Sequence, residues 1–423
     1  MAESTRISHK YQRLRWEASY GSIPANWEFV SIGSLFTERN EKSSNTKLFP
    51  LYSFTIENGV TAKTDRYERS FLLKSRDENE FAVVYPGDFV LNPMNLRFGA
   101  IGFSKLNHPV CVSAYYNVLI PKTNLVDPTY IETFLRSYQA LNLYNKIAIG
   151  SLIEKRRVHL SILERTYIPL PPQEEQVKIG KLLLCWNTAI EKTKKLLKAK
   201  EKRVKWLRQN VLTGKKRLAG CNMEWKKVPL RYVLIEHEEL STGSEEVCSV
   251  SVHKGVVNQV EHLGRVYSAK DTSKYNFVKP GDIIYTKSPT GDFPFGIIKQ
   301  SKIDRNVIVS PLYGVFTPST VYLGTILDCY FESEVNTNNY LRPIVQKGAK
   351  NTINITNDTF ISNSLYLPTD YEEQRAIAEI INTARQEIEL LKKQITAFQR
   401  QKRGLIQKLF AGEWRVKTTT EGI

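Results

Sequence analysis

Residues 166–183 read TYIPLPPQEEQVKIGKLL, and residues 363–381 read NSLYLPTDYEEQRAIAEII. Leu170-Pro171 returns as Leu367-Pro368, and Glu174-Glu175-Gln176 returns as Glu372-Glu373-Gln374, at shifts of 197 and 198 residues. In both places proline forbids a helix up to the acidic pair, and a proline-free run with apolar residues every three to four positions follows. An extended segment that turns into a long helix therefore occurs twice.

The correspondence reaches upstream. Tyr85-Pro86-Gly87-Asp88-Phe89-Val90 answers Lys279-Pro280-Gly281-Asp282-Ile283-Ile284, and Phe98-Gly99 answers Phe295-Gly296. Ser113, Tyr116, Val118 and Pro121 answer Ser310, Tyr313, Val315 and Pro318; Gly150 answers Gly348; Trp27 and Val30 answer Trp225 and Val228. A nearly constant offset over so many positions marks an internal duplication. Each copy begins with short β-type runs (Phe81–Val84, Phe89–Leu91, Tyr115–Ile120, Asp282–Tyr285, Val307–Val309) broken by turn formers.

The helices carry a seam. Leu183, Trp186, Ile190, Thr193, Leu197, Lys200, Val204, Leu207 and Val211 alternate steps of three and four, and Ile381, Ala384, Ile388, Leu391, Ile395, Phe398, Lys402, Leu405 and Leu409 do so 198 residues later. Such periodicity predicts a coiled-coil pair, with Gly214 and Gly412 as stops. The tail Ala411-Gly412-Glu413-Trp414-Arg415-Val416 is similar to Glu224-Trp225-Lys226, as if a third copy were beginning, which favours antiparallel packing. Ile179, Leu182, Leu184, Leu196, Ile377, Ile380, Leu390, Ile406 and Phe410 lie off the seam, for packing on the modules or docking a partner.

The expected architecture is α+β: two tandem mixed α/β domains joined by two long helices in an antiparallel coiled coil, with pseudo-two-fold repetition. The boundaries are an N-terminal extension 1–22, a first domain 23–172, a central helix 173–214, a second domain 215–369, a C-terminal helix 370–412 and a tail 413–423.

Composition narrows the chemistry. The 423 residues carry 60 Lys+Arg against 43 Asp+Glu, a net +17, which suits a polyanionic partner, nucleic acid first. Residues 173–217 alone hold 14 Lys+Arg against 4 Glu. No apolar run is long enough for a membrane span. No secretory leader is visible, and Cys111, Cys185, Cys221, Cys248 and Cys329 are scattered; both point to the cytoplasm.

Catalytic motifs do not assemble. Asn92-Pro93-Met94-Asn95 lacks the second proline and the aromatic residue of an amino-methyltransferase motif, and no phosphate-binding loop occurs. Cys248, His253 and His262 lack zinc-ligand spacing. Neither a catalytic residue nor a metal site is expected.

Two variable modules, each ending in Leu-Pro and Glu-Glu-Gln before a long helix that stops near glycine, resemble the specificity subunit of type I restriction–modification systems. The resemblance runs from about Ile23 to Val416; the second copy departs from it at Thr369-Asp370 and at Thr286-Lys287-Ser288-Pro289. It implies two target recognition domains, each binding one half of a split duplex-DNA target, with the helices setting the spacer; because the loops of the two modules differ, the target is expected to be asymmetric. The implied partners are two methyltransferase subunits and two restriction/translocase subunits. Adenine-N6 methylation and ATP-dependent cleavage would be theirs, with S-adenosylmethionine, ATP and Mg bound there. The competing reading is a DNA-bridging or repressor-like coiled-coil protein without a methyltransferase.

Base readout needs polar and basic side chains on loops. The first module offers Lys63, Arg66, Arg69, Asn92, Asn95, Arg97, Tyr115, Tyr116, Lys146, Ser151, Lys155, Arg156 and Arg157. The second offers Lys254, Arg265, Lys270, Lys274, Lys287, Ser288, Thr290, Lys347, Lys350, Asn351 and Asn354. The tyrosine pair reads first as core or module wall rather than as a base contact.

Overall fold

The computed structural model describes residues 20–62, 80–152, 155–260, 271–347 and 353–417. It separates into two compact units, one formed by Met1–Lys192 with Ile395–Ile423 and the other by Thr193–Gln394. Both mix strands and helices.

In the first unit, β1 (Glu28–Ser31) pairs antiparallel with β11 (Tyr167–Leu170). A four-stranded sheet follows the order β2 (Phe36–Arg39), β10 (Asn117–Pro121), β7 (Phe89–Leu91), β8 (Ile101–Phe103). A second layer contains β3 (Lys42–Ser43), β6 (Phe81–Val84) and β9 (Val110–Val112), beside the hairpin of β4 (Tyr52–Thr55) and β5 (Gly59–Ala62). Helices α1 (Pro128–Leu135), α2 (Tyr138–Ile147) and α3 (Leu160–Glu164) precede the long α4 (Gln173–Asn210). The Asp127 carboxylate caps α1 by accepting from the Tyr130 amide at 2.8 Å, with Pro128 at the first helical position.

The second unit repeats the plan. Strands β12 (Lys226–Pro229) and β23 (Ser364–Leu367) pair antiparallel. The four-stranded sheet is β13 (Leu234–Glu236), β20 (Gly314–Pro318), β17 (Ile283–Tyr285), β18 (Ile298–Gln300). Its other layer joins β15 (Gly255–Asn258), β14 (Glu246–Ser251), β19 (Val307–Val309) and β16 (Asn276–Val278), and β21 (Gln346–Lys347) pairs with β22 (Ile353–Asn354). Helices α5 (Val321–Phe331), α6 (Glu334–Leu341) and α7 (Asn357–Ser362) lead to α8 (Tyr371–Phe410).

The repeated motifs are structural fastenings. In each Pro-Gly-Asp turn the glycine takes a left-handed φ, +87° at Gly87 and +92° at Gly281. The buried aspartate then closes the turn, Asp88 accepting from the Tyr85 amide at 2.9 Å and Asp282 from the Lys279 amide at 2.7 Å. Asp88 also binds Arg39, whereas Asp282 binds His237 and Thr317. Asp282 therefore belongs to the turn, and β17 begins one residue after the expected start; β10 likewise begins at Asn117 because residues 113–116 form a turn.

The Glu-Glu-Gln signature seats each long helix. Glu175, Gln176, Glu373 and Gln374 are all buried. The Gln176 amide donates to the Pro171 carbonyl at 2.9 Å, and Gln374 donates to Pro368 at 3.0 Å. Glu175 accepts from the Trp27 indole at 3.1 Å and from Arg415 at 2.7 and 2.9 Å. In the second unit Arg217 binds Glu373 at 2.8 and 2.7 Å, with its guanidinium 5.7 Å from the Trp225 ring centre.

This corrects the alignment of the tail. Arg415 occupies the place of Arg217, 198 residues on, while Trp414 is 55% exposed and does not repeat the buried Trp225. The tail matches the segment just after Gly214, ahead of the next module. Gly412 and Gly214 share a left-handed φ of +71° and +69°.

Within the first unit, α4 meets α8 through Trp186 on Phe398 (5.7 Å, edge to face) and Lys402 on Asn187, and Lys178 reaches the Lys417 carbonyl. Within the second, Lys200 pairs with Glu387 at 2.8 Å. Of the residues off the seam, Ile179, Leu182, Ile406 and Phe410 join the first core, and Ile377 and Ile380 join the second. Leu184, Leu196 and Leu390 remain exposed.

The helix ends dock with different chemistry. Phe410 meets Tyr130 and Phe134 edge-on at 5.5 and 5.2 Å. In the second unit Leu212 holds the equivalent place, beside Ile326 and the half-buried Tyr330. Arg208, in the place of Ile406, binds Glu332 at 2.6 Å; Arg385 adds bonds to Glu332 (2.8 Å) and Asp328 (2.9 Å), and Lys302 reaches Asp328 at 2.9 Å. Burial opposes ionisation of Asp328, yet Arg385, Lys302 and the Gln300 amide outweigh it and hold the carboxyl below its usual range.

Candidate nucleic-acid interface

The edge of the first unit's main sheet gathers most of the described candidates. Leu91 and Asn117 form the last pair between β7 and β10, so the Asn92–Asn95 loop and the 113–116 turn leave the sheet at one end. Asn92 folds its own loop, its Oδ1 accepting from the Met94 amide at 3.1 Å. The Pro93 carbonyl accepts from the Val158 amide at 3.0 Å, which ties this loop to the basic segment 155–157. That segment is held by reciprocal backbone bonds between Ile149 and Arg157, both 3.0 Å. Lys146 lies in the last turn of α2, just before it.

Asn95, Tyr115, Lys146, Ser151, Lys155, Arg156 and Arg157 are exposed. Arg97 is half-buried, its guanidinium 5.3 Å from the Phe98 ring centre. Arg157 bonds His159, and Arg156 turns back to the Gly150 carbonyl. The basic rim shares these segments with the exposed apolar residues Met94, Phe98, Ile149 and Leu152, none of which sequence reasoning selected. Their exposure depends on which face of a short loop points outward, and no periodicity signals that. Such a rim can neutralise phosphates while loop side chains meet base edges.

In the second unit the candidates spread out. Tyr285 and Gly314 end the β17–β20 ladder, and Lys287, Ser288 and Thr290 follow at that edge. Lys287 adopts φ +54°, uncommon for a side-chain-bearing residue, and burial lowers its ammonium pKa against an opposing pull from Glu236. Ser288 donates to the Thr286 carbonyl at 3.2 Å, and Thr290 shares backbone bonds with Phe293. Lys254 lies elsewhere, at the β14–β15 hairpin. It lines a 970 Å³ groove with Arg208, His253, Lys302, Arg385 and Lys392. Lys274 is exposed on the turn before β16. Lys347 falls on β21 and Asn354 on β22. Lys63, Arg66, Arg69, Arg265, Lys270, Lys350 and Asn351 lie outside the described residues.

Tyr115 and Tyr116 part company. Tyr116 packs on the core, its ring 6.2 Å from Phe54 and tilted edge-on. Tyr115 is 86% exposed, so the reading as core or wall fails for it: in a four-residue turn the third side chain points out while the fourth returns to the sheet.

Two units with the same sheet, the same buried Glu-Gln seat and the same loop-bearing edge frame the comparison with known proteins. A family described as "Type I restriction modification DNA specificity domain" matches residues 24–204, which span the first module and most of α4. The first module and most of α4 are thus similar to this specificity-domain family. Over 426 residues it is 22% identical to a Methanocaldococcus jannaschii protein provisionally named the type I restriction enzyme MjaX specificity subunit, covering 94% of this chain and 96% of that one. It is also 22% identical, over 97% of this chain and 98% of the other, to the MjaVIII specificity subunit from the same organism. The fold is shared with the crystal structure of a type I restriction-modification system S subunit from M. genitalium (TM-score 0.55, 13% identity, 95% and 99% of the two chains). A chain from a structure on complex assembly and conformational transition of the type I R-M system gives TM-score 0.52 at 15% identity, over 93% and 100%. Among the described residues no group of three His, Cys, Asp or Glu is placed to hold a metal ion, and no helix is long and apolar enough to cross a membrane.

Proposed function

We propose that this chain supplies DNA-sequence specificity to a type I restriction–modification complex, each module binding one half of an asymmetric bipartite target. The observation that carries the reading is the duplicated sheet edge, with its polar and basic loops, in a chain similar to this family. The two edges differ in sequence, so the halves differ.

The finer architecture belongs to the same proposal. Helices α4 and α8 act as an antiparallel coiled coil that fixes half-site separation, with centres roughly one helical turn, 10–12 bp, apart. Domain limits follow at 23–172 and 215–369, with the helices 173–214 and 370–412 between and after them. Exposed Leu184, Leu196, Trp206 and Leu390 offer apolar surface for methyltransferase subunits. Two such subunits and two restriction/translocase subunits complete the assembly, in the cytoplasm. S-adenosylmethionine, ATP and Mg are assigned to those partners.

The test is single-molecule sequencing of adenine methylation in host DNA with the gene intact and deleted. A split motif with a fixed spacer that loses methylation on deletion is expected. No change in any methylated motif, together with no co-purifying methyltransferase, would refute the proposal.

A further inference from the structure

Residues Ser113-Ala114-Tyr115-Tyr116 and Ser310-Pro311-Leu312-Tyr313 form the same turn, 197 residues apart. The first serine carbonyl accepts from the fourth residue's amide at 3.0 Å in both. The serine hydroxyl accepts from the third residue's amide, at 3.4 Å in the first turn and 3.3 Å in the second. The fourth residue, Tyr116 or Tyr313, packs down onto its unit's inner core. In the second unit the Asn276 amide also donates to the Tyr313 carbonyl at 2.8 Å.

On this rigid base the third residue stands clear. Tyr115 is 86% exposed and Leu312 73%. Isolated exposed apolar residues are ordinary on a protein surface. Here two of them occupy one position of a repeated scaffold, each at the sheet edge that carries the candidate readout loops, and each is large and apolar although the residue types differ. A turn held by backbone bonds presents such a side chain at little further entropic cost. Tyr115 also stands at the edge where Asn95, Lys146 and Arg156 are exposed.

We propose that Tyr115 and Leu312 are specificity-determining residues, one per half-site, that contact base pairs through apolar surface. The thymine methyl is the apolar group that the major groove displays, so each residue reads an A·T pair. The inference rests on the proposed function and adds named readers to it.

The experiment compares adenine methylation in hosts expressing wild type, Y115A, Y115F or L312A. Both positions are exposed, so unchanged thermal midpoints of the purified subunits check folding. Y115A should relax discrimination about tenfold or more at one A·T position in one half of the motif, L312A should do so in the other half, and Y115F should keep the wild-type motif. Unchanged motifs in both alanine variants overturn the inference while leaving the proposed function standing. Relaxation at a G·C position, or in both halves with a single variant, overturns it too. Loss of all methylation in folded Y115A with Y115F active supports it, and the same loss in folded Y115F overturns it. A wild-type strain without any split motif defeats the proposed function itself.

Discussion

Arg415 bonds Glu175 across 240 residues of chain, at 2.7 and 2.9 Å, and thereby fastens the tail beyond α8 to the first turn of α4. The carboxylate is fully buried and the guanidinium is 28% exposed. Removing the cation strands a buried charge, which costs about 3–5 kcal/mol. Arg415→Ala should therefore lower the first unit's thermal midpoint by about 6–20 °C. Differential scanning calorimetry checks this; a shift below about 2 °C would show that the Trp27 indole alone satisfies Glu175.

Acid should loosen the second unit at its ionic junction. The Asp328 carboxyl is held below the usual value of 3.8, so its stabilising contribution is complete above that value and is lost as pH falls through the lower folded one. Unfolding midpoints measured from pH 6 down to pH 2 should fall more steeply for wild type than for Asp328→Asn in the acid limb. Parallel curves would remove Asp328 from the account.

Thiol reactivity should rank by burial. Cys185 is exposed, Cys221 intermediate, and Cys111, Cys248 and Cys329 buried. Burial pushes the Cys111 thiol to about 11 and Cys248 to about 12, which removes the reactive thiolate at neutral pH. Maleimide labelling followed by peptide mass spectrometry should modify Cys185 first and the buried three only on unfolding. Early labelling of Cys248 would contradict the β14–β15 packing.

Phosphate neutralisation at the basic rim predicts a salt signature. The triple variant K155A/R156A/R157A should weaken binding to the methylated motif's duplex. It should also flatten the plot of log K against log salt by about 0.9 for each phosphate no longer neutralised, up to about 2.7. An unchanged slope would place these side chains away from DNA.

How much of this was legible in sequence varies by residue. The long helices and the Leu-Pro and Glu-Glu-Gln signatures announced the duplication because proline, periodicity and glycine stops are local rules. The role of Glu175 was not legible: its partner Arg415 lies 240 residues away, and only the fold brings them together. The Pro-Gly-Asp turn could be read, but not the exchange of Arg39 for His237 behind it. Loop candidates fared unevenly. Lys155–Arg157 and Asn95 share an edge because Val158 bonds Pro93, whereas Lys254 faces a groove along the helices. Hydrophobicity placed Tyr115 and Tyr116 together, and turn geometry separates them.

The unlike chemistry at the two helix ends limits how such a gene can be recombined. A foreign first module grafted before α4 must bring an aromatic socket able to receive Phe410, as Tyr130 and Phe134 do. A foreign second module must instead offer carboxylates to Arg208, as Glu332 does. Swapping either module without its matching socket would leave a buried void or an orphaned cation. Under the proposed function, the crossover point for acquiring a new half-target therefore lies on the helix side of these sockets, so that socket and loops are inherited as one cassette.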